Sequence, residues 1–326
     1  MSTLNLREIY TRILLPPQVV RLEGSDAFDH IIAQCIAPVH ARVQAYLHEH
    51  SLLQASEEEA SAIVQGLLSG QLGCVLPSIQ PYRRLSSTTA TLQTSSPAVA
   101  DPSFLGFEAT ARGLLHDGKI IEAGKLFSTN KRDHDKLDLA VMRGAVRLGK
   151  TMNRLRKNPL TVSSNATSAL LNRTDFAGSI LEVLNDEEFD PKQFILEILE
   201  DNDLSADQIR KCEGLKALSD SGLRISMDDL GRKNSLANLG ILTAAKVPIY
   251  EVKFDGADTH QMTDPARWAN MDHLLLKAGE SGATQLVWEG FWKGFGAEVT
   301  QAVVEYHAHS QVASQWKEPI FEGTIL

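Results

Sequence analysis

The stretch LRISMDDLGRKNSLANLGILTA, residues 223–244, decides the fold. Its first five residues, LRISM, have the pattern of a short β-strand, and residues 237–245 have the apolar spacing of a helix. Between them lie two adjacent carboxylates, Asp228 and Asp229, followed by Leu230 and Gly231. A strand that ends in polar residues and continues into a helix is the repeating unit of proteins with a parallel sheet.

The same unit recurs on both sides of this stretch. Further strand-like segments lie at residues 194–199, 249–254 and 285–288, and helical patterns lie at 205–219, 265–278 and 299–307. Alternating strands and helices predict parallel strands joined by helical crossovers. The pattern alone leaves two architectures open, an α/β barrel and a doubly wound sheet.

The first 85 residues have a different character. Residues 27–50 carry apolar side chains at three- and four-residue spacing, which predicts an amphipathic helix. Ser56 followed by Glu59 predicts the start of a second helix, which ends near Gly70. We therefore predict an N-terminal helical region over 1–85, as a dimerisation or partner-binding element, and an α/β domain over 86–326.

Composition excludes several classes of function. The chain of 326 residues has a formal net charge of −9, so we expect no nucleic-acid polymer as partner. Its three cysteines include no CxxC pair, which argues against a disulfide framework and a thiolate zinc site. No uncharged apolar run approaches the roughly 18 residues that span a bilayer, so we expect a cytoplasmic protein without membrane contact.

Polar residues follow most of the predicted strands, and in α/β folds the carboxyl ends of the strands form the site. Several carboxylates converging there would repel one another unless cations lay between them, and oxygen ligands favour Mg²⁺ or Mn²⁺. Two such ions about 4 Å apart, bridged by Asp228, would suit phosphoryl chemistry. The residues at these positions are Glu108, Asn165, Glu197, Asp228, Asp229, Lys253, Asp255 and Glu289.

These motifs resemble the EAL family of cyclic di-GMP phosphodiesterases. EATAR at 108–112 is similar to the signature EALLR, DDLG at 228–231 to DDFG, and VKFD at 252–255 to the KID segment. SNAT at 164–167 is similar to VNLS, LEILE at 196–200 to LEITE, and WEG at 288–290 to AEGVE, with DG at 117–118 in place. The resemblance implies a modified TIM-like barrel in which one early strand runs antiparallel to the others.

The resemblance also implies roles for individual residues. Two Mg²⁺ or Mn²⁺ ions would be bound, Lys253 would orient the attacking water, and Glu108 and Asp229 would also count as catalytic. Arg112 would contact a phosphate of cyclic di-GMP, with Gln93 and Asp255 as further substrate-binding residues. Gln93 stands where the family has its first strand, so we expect that strand within 86–103 rather than the linker which the Ser, Thr and Pro content suggests. The implied metal ligands are Glu108, Asn165, Glu197, Asp228, Asp229 and Glu289. The family also implies a homodimer.

The sequence departs from the family after DDLG. The loop continues as Arg232-Lys233, with a lysine where the family has a glycine, and Trp292 replaces the second glutamate of EGVE. The late glutamine of the family has no clean counterpart, since neither Gln311 nor Gln315 fits its spacing. Two hypotheses follow: a metal-dependent phosphodiesterase that opens cyclic di-GMP to pGpG, or a catalytically weak or inactive EAL-like protein that acts as a cyclic di-GMP receptor or a protein-interaction module.

Overall fold

The computed structural model describes residues 65–70, 73–84, 104–115, 120–122, 133–154, 156–290, 297–316 and 320–322. The helix predicted at 27–50 lies outside these ranges, as does the strand expected within 86–103. Of the second predicted helix, residues 65–68 are described, and they are helical.

Nine strands among the described residues form one sheet in the order β1-β9-β8-β7-β6-β5-β4-β2-β3. Buried strands such as β5, whose five residues are all buried, are covered on both faces, as parallel strands in α/β proteins are. The strands are β1 (Gly73–Arg84), β2 (Phe104–Leu115), β3 (Ile120–Glu122), β4 (Thr161–Ala166), β5 (Phe194–Ile198), β6 (Arg224–Met227), β7 (Glu251–Phe254), β8 (Gln285–Trp288) and β9 (Ile320–Glu322).

The sheet closes on itself as a barrel. Strands β2 and β4 through β9 run parallel, and β1 pairs antiparallel with both β2 and β9, which joins the two ends of the parallel set. Strand β3 pairs antiparallel with β2 outside this ring. The structure therefore confirms the TIM-like barrel with an early antiparallel strand and excludes the doubly wound sheet.

The antiparallel strand lies earlier in the chain than the sequence predicts. Residues 73–84 form β1, and Gln80 in this strand stands opposite Glu108 in β2. The predicted boundary at residue 85 assigns this strand to the N-terminal region, and the structure corrects that assignment because β1 is part of the barrel. Two prolines, Pro77 and Pro81, interrupt its strand pattern, since proline donates no ladder hydrogen bond.

Helices connect the parallel strands and cover the outside of the barrel. The helix predicted from residue 205 begins at Gln208, because the backbone N–H and hydroxyl of Ser205 donate to Asp203 Oδ1 instead of capping the helix. The helices are α1 (His134–Asn153), α2 (Ser168–Leu171), α3 (Phe176–Asp186), α4 (Gln208–Asp220), α5 (Ser235–Ala244), α6 (Gly256–Gln261), α7 (Trp268–Glu280) and α8 (Ala297–His309), with 3₁₀ turns at Pro191–Gln193, Pro265–Arg267 and Ala313–Gln315. None of the helices in the described ranges is long and apolar enough to cross a membrane.

The two faces of the strands carry different chemistry. Outward side chains such as Leu196, Met227 and Trp288 join the large apolar core beneath the helices. The interior holds a small apolar cluster of Tyr82, Val287 and Ile320. The buried polar side chains of the strands include Ser163, Glu197, Ser226, Glu251, Lys253 and Gln285. Since buried polar groups need partners, this layer has to be paired internally or with a ligand.

Candidate functional site

Lys253 lies at the centre of a cluster of carboxylates. It is the third residue of β7, and its side chain is 1% exposed. Its Nζ lies 3.1 Å from Glu108 Oε2, 2.9 Å from Glu197 Oε2 and 2.6 Å from Glu289 Oε1. Asp228 Oδ1 is 3.9 Å from the same nitrogen. The structure thus brings together, at one point, residues from five separate strands or strand ends that the sequence predicted as one site.

Two further polar side chains orient these carboxylates. Asn165, at the end of β4, donates from Nδ2 to Glu108 Oε1 at 2.7 Å. Tyr82 in β1 donates its hydroxyl proton to Glu197 Oε1 at 2.7 Å, and the same hydroxyl lies 2.6 Å from Ser163 Oγ. Tyr82 was not predicted from the sequence, because the first strand of the barrel was expected elsewhere in the chain. Glu108 and Glu197 are therefore each held at both carboxylate oxygens, which fixes their direction inside the barrel.

The two aspartates after β6 occupy different positions. Asp228 is anchored by its backbone N–H, which donates to Ile198 O at 3.0 Å, and its Oδ1 is buried without a hydrogen bond among the described residues. Asp229 adopts a left-handed backbone with φ of 45°. This conformation is costly for most residues but less so for Asp and Asn. It turns the chain sharply at the barrel mouth.

The carboxylates form two groups that suit a cation. One oxygen each of Glu108, Glu289 and Glu322 lie within 4.8 Å of one another, and the same holds for Asp228, Asp229 and Glu289. Glu289 belongs to both groups, so in this geometry Glu289, rather than Asp228, is the shared residue. Carboxylate oxygens are hard ligands that favour Mg²⁺, Mn²⁺ or Ca²⁺. The buried Oδ1 atoms of Asn165 and Asp228, which accept no hydrogen bond from any residue that the structure describes, are further oxygens of the kind that such ions take.

Burial and mutual repulsion shift the pKa values of these groups. Burial alone would raise the pKa of Glu108, but the charge of Lys253 and the hydrogen bonds around it lower that pKa to about 2. Burial raises the pKa of Glu289 to about 7, although Lys253 opposes the shift, and it raises the pKa of Asp228 well above its ordinary value. Protons therefore take the place of some of the positive charge that bound cations would supply.

The loop after β6 is held by ion pairs on both sides. Arg232 Nε lies 2.7 Å from Asp255 Oδ2, beyond β7, and 3.2 Å from Asp258 Oδ2. Lys233 Nζ lies 2.6 Å from Glu200 Oε1, beyond β5. The φ of Lys233 is 39°, so this residue adopts the left-handed backbone that glycine adopts without strain. Trp292, the other departure in this region, lies outside the described residues.

Of the three predicted substrate-binding residues, the structure describes Arg112 and Asp255. Arg112 lies on β2 four residues beyond Glu108, and its Nη1 donates to Thr110 Oγ1 and to Ala111 O. Asp255 accepts the backbone N–H of Asp258 and caps α6, in addition to its ion pair with Arg232. Gln93 lies outside the described residues.

Gln80 in β1 is a further glutamine beside the site, which the sequence did not predict. It is directly opposite Glu108 in the ladder, and Pro81 follows it, as proline follows glutamine in YQPI, the first-strand segment of the family that the motifs resemble. Since side chains two apart on a strand share a face, Gln80 lies on the same barrel-facing side as Tyr82. The adjacent Gln-Pro pair is the sequence signal that could have located this strand.

Glu322 is a second residue that the sequence analysis missed. It ends the described part of β9 and is completely buried, and its Oε2 lies 3.0 Å from Lys253 Nζ. Gln315 lies in the 3₁₀ turn before β9, and Gln311 lies just before that turn. Both side chains are exposed. The residue that β9 delivers to the site is therefore a carboxylate and not a glutamine.

Comparison with known families identifies the barrel. The family model described as EAL domain matches residues 95–290, which is more than half of the chain and includes every predicted metal ligand. The chain belongs to the EAL-domain family. The matched segment ends before β9, so Glu322 lies outside it. EAL domains are metal-dependent, and the two carboxylate groups described above agree with that property.

Solved EAL structures have the same fold. The chain is similar to the PaMucR phosphodiesterase in complex with c-di-GMP, with a TM-score of 0.61, 17% identity, and 82% of this chain and 95% of that chain covered. It is similar to an EAL domain protein of Listeria monocytogenes, with a TM-score of 0.58, 19% identity, and coverage of 84% and 93%. At these identities the likeness concerns the fold. None of the curated proteins with which the sequence was compared matches it.

The Bacillus subtilis YkuI protein provides a further comparison. Its EAL domain structure, in complex with substrate c-di-GMP and calcium, has a TM-score of 0.54 and 20% identity to this chain. The match covers 80% of this chain and 56% of that one.

Proposed function

We propose that this EAL domain is a phosphodiesterase that hydrolyses cyclic di-GMP to the linear dinucleotide pGpG. The observation that carries the proposal is the pair of carboxylate groups around Lys253, which share Glu289 at the mouth of the barrel. Ionised, the five carboxylates within 4 Å of Lys253 outweigh its one charge by four, and two divalent cations supply that charge. PaMucR and YkuI, which share the fold, were solved with c-di-GMP.

Six residues of the site would hold the metal ions. Bound Mg²⁺ or Mn²⁺ ions would supply a polarised phosphate oxygen and a water of lowered pKa. The residues that would hold the ions are Glu108, Asn165, Glu197, Asp228, Asp229 and Glu289.

The remaining predicted residues act on the substrate and the water. Lys253, fixed by at least three carboxylates, orients the attacking water with its ammonium group. The guanidinium of Arg112 suits a bidentate contact with one phosphate of the cyclic dinucleotide. Gln80, on the barrel face next to Glu108, lies where it can contact the substrate, Gln93 stays a predicted substrate-binding residue, and Asp255 adds a further contact through its remaining acceptor capacity.

A second candidate function is a cyclic di-GMP receptor with little turnover. The observation that favours it is the strained backbone of Lys233 in the loop that carries Asp228 and Asp229. A supporting loop that holds its ligands less well reduces turnover more than binding, because transition-state geometry is more demanding than ground-state binding. A homodimer and a protein partner for residues 1–85 are compatible with either function and remain part of this proposal.

The test is a turnover assay on purified protein. Wild type, Glu108→Gln and Glu251→Gln are incubated with cyclic di-GMP and Mn²⁺ or Mg²⁺, and pGpG is followed by chromatography. Burial raises the pKa of Glu251 to about 8, so this carboxyl is protonated at neutral pH and the glutamine variant is a matched control. We expect product from wild type and Glu251→Gln and none from Glu108→Gln. Absence of product from wild type, with retained binding by calorimetry, would establish the receptor instead.

A further inference from the structure

We propose that Glu322 is a direct ligand of one of the two cations, so that this chain binds that ion with one carboxylate more than the sequence motifs supply. The inference extends the metal site of the proposed function and does not require turnover. Glu322 is delivered by β9, and one of its oxygens lies within 4.8 Å of ligand oxygens of Glu108 and Glu289. These three residues form the group that does not include the aspartates after β6.

Lys253 has enough neighbouring carboxylates to be neutralised without Glu322. An ammonium group has three N–H donors. Lys253 donates hydrogen bonds to Glu108 Oε2 and Glu197 Oε2, and Glu289 Oε1 lies 2.6 Å from Nζ, so three carboxylates other than Glu322 already outweigh its single charge. Glu322 Oε2 is near the same nitrogen at 3.0 Å, but neither of its oxygens accepts a hydrogen bond from the described residues. Neutralising Lys253 therefore does not require Glu322.

Such a side chain is costly unless something else binds it. Glu322 is completely buried, and a buried carboxylate that forms an ion pair but accepts no hydrogen bond from the described residues regains only part of its lost hydration. It also faces Glu108, and two ionised carboxylates cannot hydrogen-bond to each other. A proton shared between them or a cation bound by both removes the repulsion. The Oδ1 atom of Asn165, whose Nδ2 donates to Glu108, is a further buried acceptor that has no hydrogen-bond partner in the described part of the chain.

The alternative is that Glu322 serves only as an additional counter-charge for Lys253. The two roles give opposite results for Glu322→Gln, which keeps the shape and replaces one oxygen with a donor. If Glu322 is a counter-charge, its loss leaves the buried ammonium less balanced and lowers stability without metal. If it is a metal ligand, the amide can donate to Glu108, the repulsion disappears, and stability without metal rises while metal affinity falls.

The experiment measures both quantities on the full chain. Mn²⁺ is titrated calorimetrically into wild type, Glu322→Gln and Glu251→Gln, and thermal unfolding is recorded in EDTA. Glu251 is the matched control because it is a buried glutamate of the barrel interior that belongs to neither carboxylate group. We expect Glu322→Gln to weaken Mn²⁺ binding at least ten-fold, in the range by which loss of a metal-site residue acts, and to raise the melting temperature in EDTA. We expect Glu251→Gln to leave Mn²⁺ affinity unchanged.

Each other outcome overturns the inference. Unchanged Mn²⁺ affinity in Glu322→Gln, or an equal loss in Glu251→Gln, removes Glu322 from the ligand set. A lower melting temperature in EDTA with unchanged affinity assigns it to Lys253 alone. The assay contains no nucleotide, so a chain that binds Mn²⁺ through Glu322 but does not hydrolyse cyclic di-GMP would sustain this inference and refute the proposed function. A wild type that binds no Mn²⁺ would refute both.

Discussion

Replacing Tyr82 with phenylalanine removes one oxygen from the barrel interior and tests how the carboxylates are held. The hydroxyl donates to Glu197 Oε1 at 2.7 Å and contacts Ser163 Oγ at 2.6 Å. A hydrogen bond to a charged group contributes roughly 1.5–3 kcal/mol, and the variant leaves a buried acceptor unpaired. We therefore expect Tyr82→Phe to lose about 2 kcal/mol of unfolding free energy, or roughly 4–8 °C in melting temperature for a domain of this size.

The assay compares this variant with Tyr306→Phe. Tyr306 is also buried, and its hydroxyl donates to Asp272 Oδ1 at 2.8 Å between α8 and α7, far from the carboxylates in the fold. Both variants lose a buried hydrogen bond to a carboxylate, so both melt earlier. Only Tyr82→Phe releases Glu197, and we expect it alone to weaken Mn²⁺ binding and cyclic di-GMP turnover. A melting temperature and Mn²⁺ affinity of Tyr82→Phe equal to those of wild type would refute the reasoning. Equal losses of Mn²⁺ binding and turnover in the two variants would also refute it.

Two further predictions concern the loop and the helix that support the site. Lys233→Ala and Lys233→Gly both lose the contact with Glu200, but only alanine keeps a side chain at a φ of 39°. The glycine variant should therefore be more stable than the alanine variant by about 1 kcal/mol in chemical denaturation. Equal stabilities would show that this backbone is unstrained. Burial raises the pKa of Asp138 to about 8, although Thr167 donates to it, so the native state holds a proton that the unfolded chain releases near pH 4. The stability contribution is therefore full below about pH 4 and is lost as pH rises towards 8, and Asp138→Asn should flatten the fall in unfolding free energy over that range. A slope identical to wild type would contradict this assignment.

The sequence predicted those parts of the site that follow long, regular units. Asp228, Lys253 and Glu289 each stand at or just beyond a strand that alternates with a helix. The carboxyl ends of parallel strands meet at one end of a barrel, so their convergence on Lys253 followed from the order of elements alone. The predicted strands at 194–199 and 285–288 correspond to β5 and β8 within one residue for the same reason.

The parts that the sequence did not predict depend on short or irregular strands. β1 contains Pro77 and Pro81, which weaken the strand pattern, so Gln80 and Tyr82 were not recognised as residues of the site. β9 has three described residues, too few for a periodic signal, and the residue it delivers to the site is Glu322, whereas the family pattern predicts a glutamine.

The ion pairs of Arg232 and Lys233 involve residues beyond β7 and β5. Only the tertiary arrangement brings those residues next to the loop after β6, so no local pattern in the sequence could reveal them.

Because β1 pairs with both neighbouring strands, Tyr82 can occupy only the positions that the registers of the ladder allow. Side chains of a strand alternate between its two faces, so a slip of one residue would turn Tyr82 from the interior of the barrel to the outside. A strand in a ladder has no stable position between two registers, because its hydrogen bonds form at fixed repeats. Glu197 is therefore either paired with Tyr82 or not paired with it. A conformational change transmitted along β1 would act on the site as a switch with two settings and not as a graded adjustment.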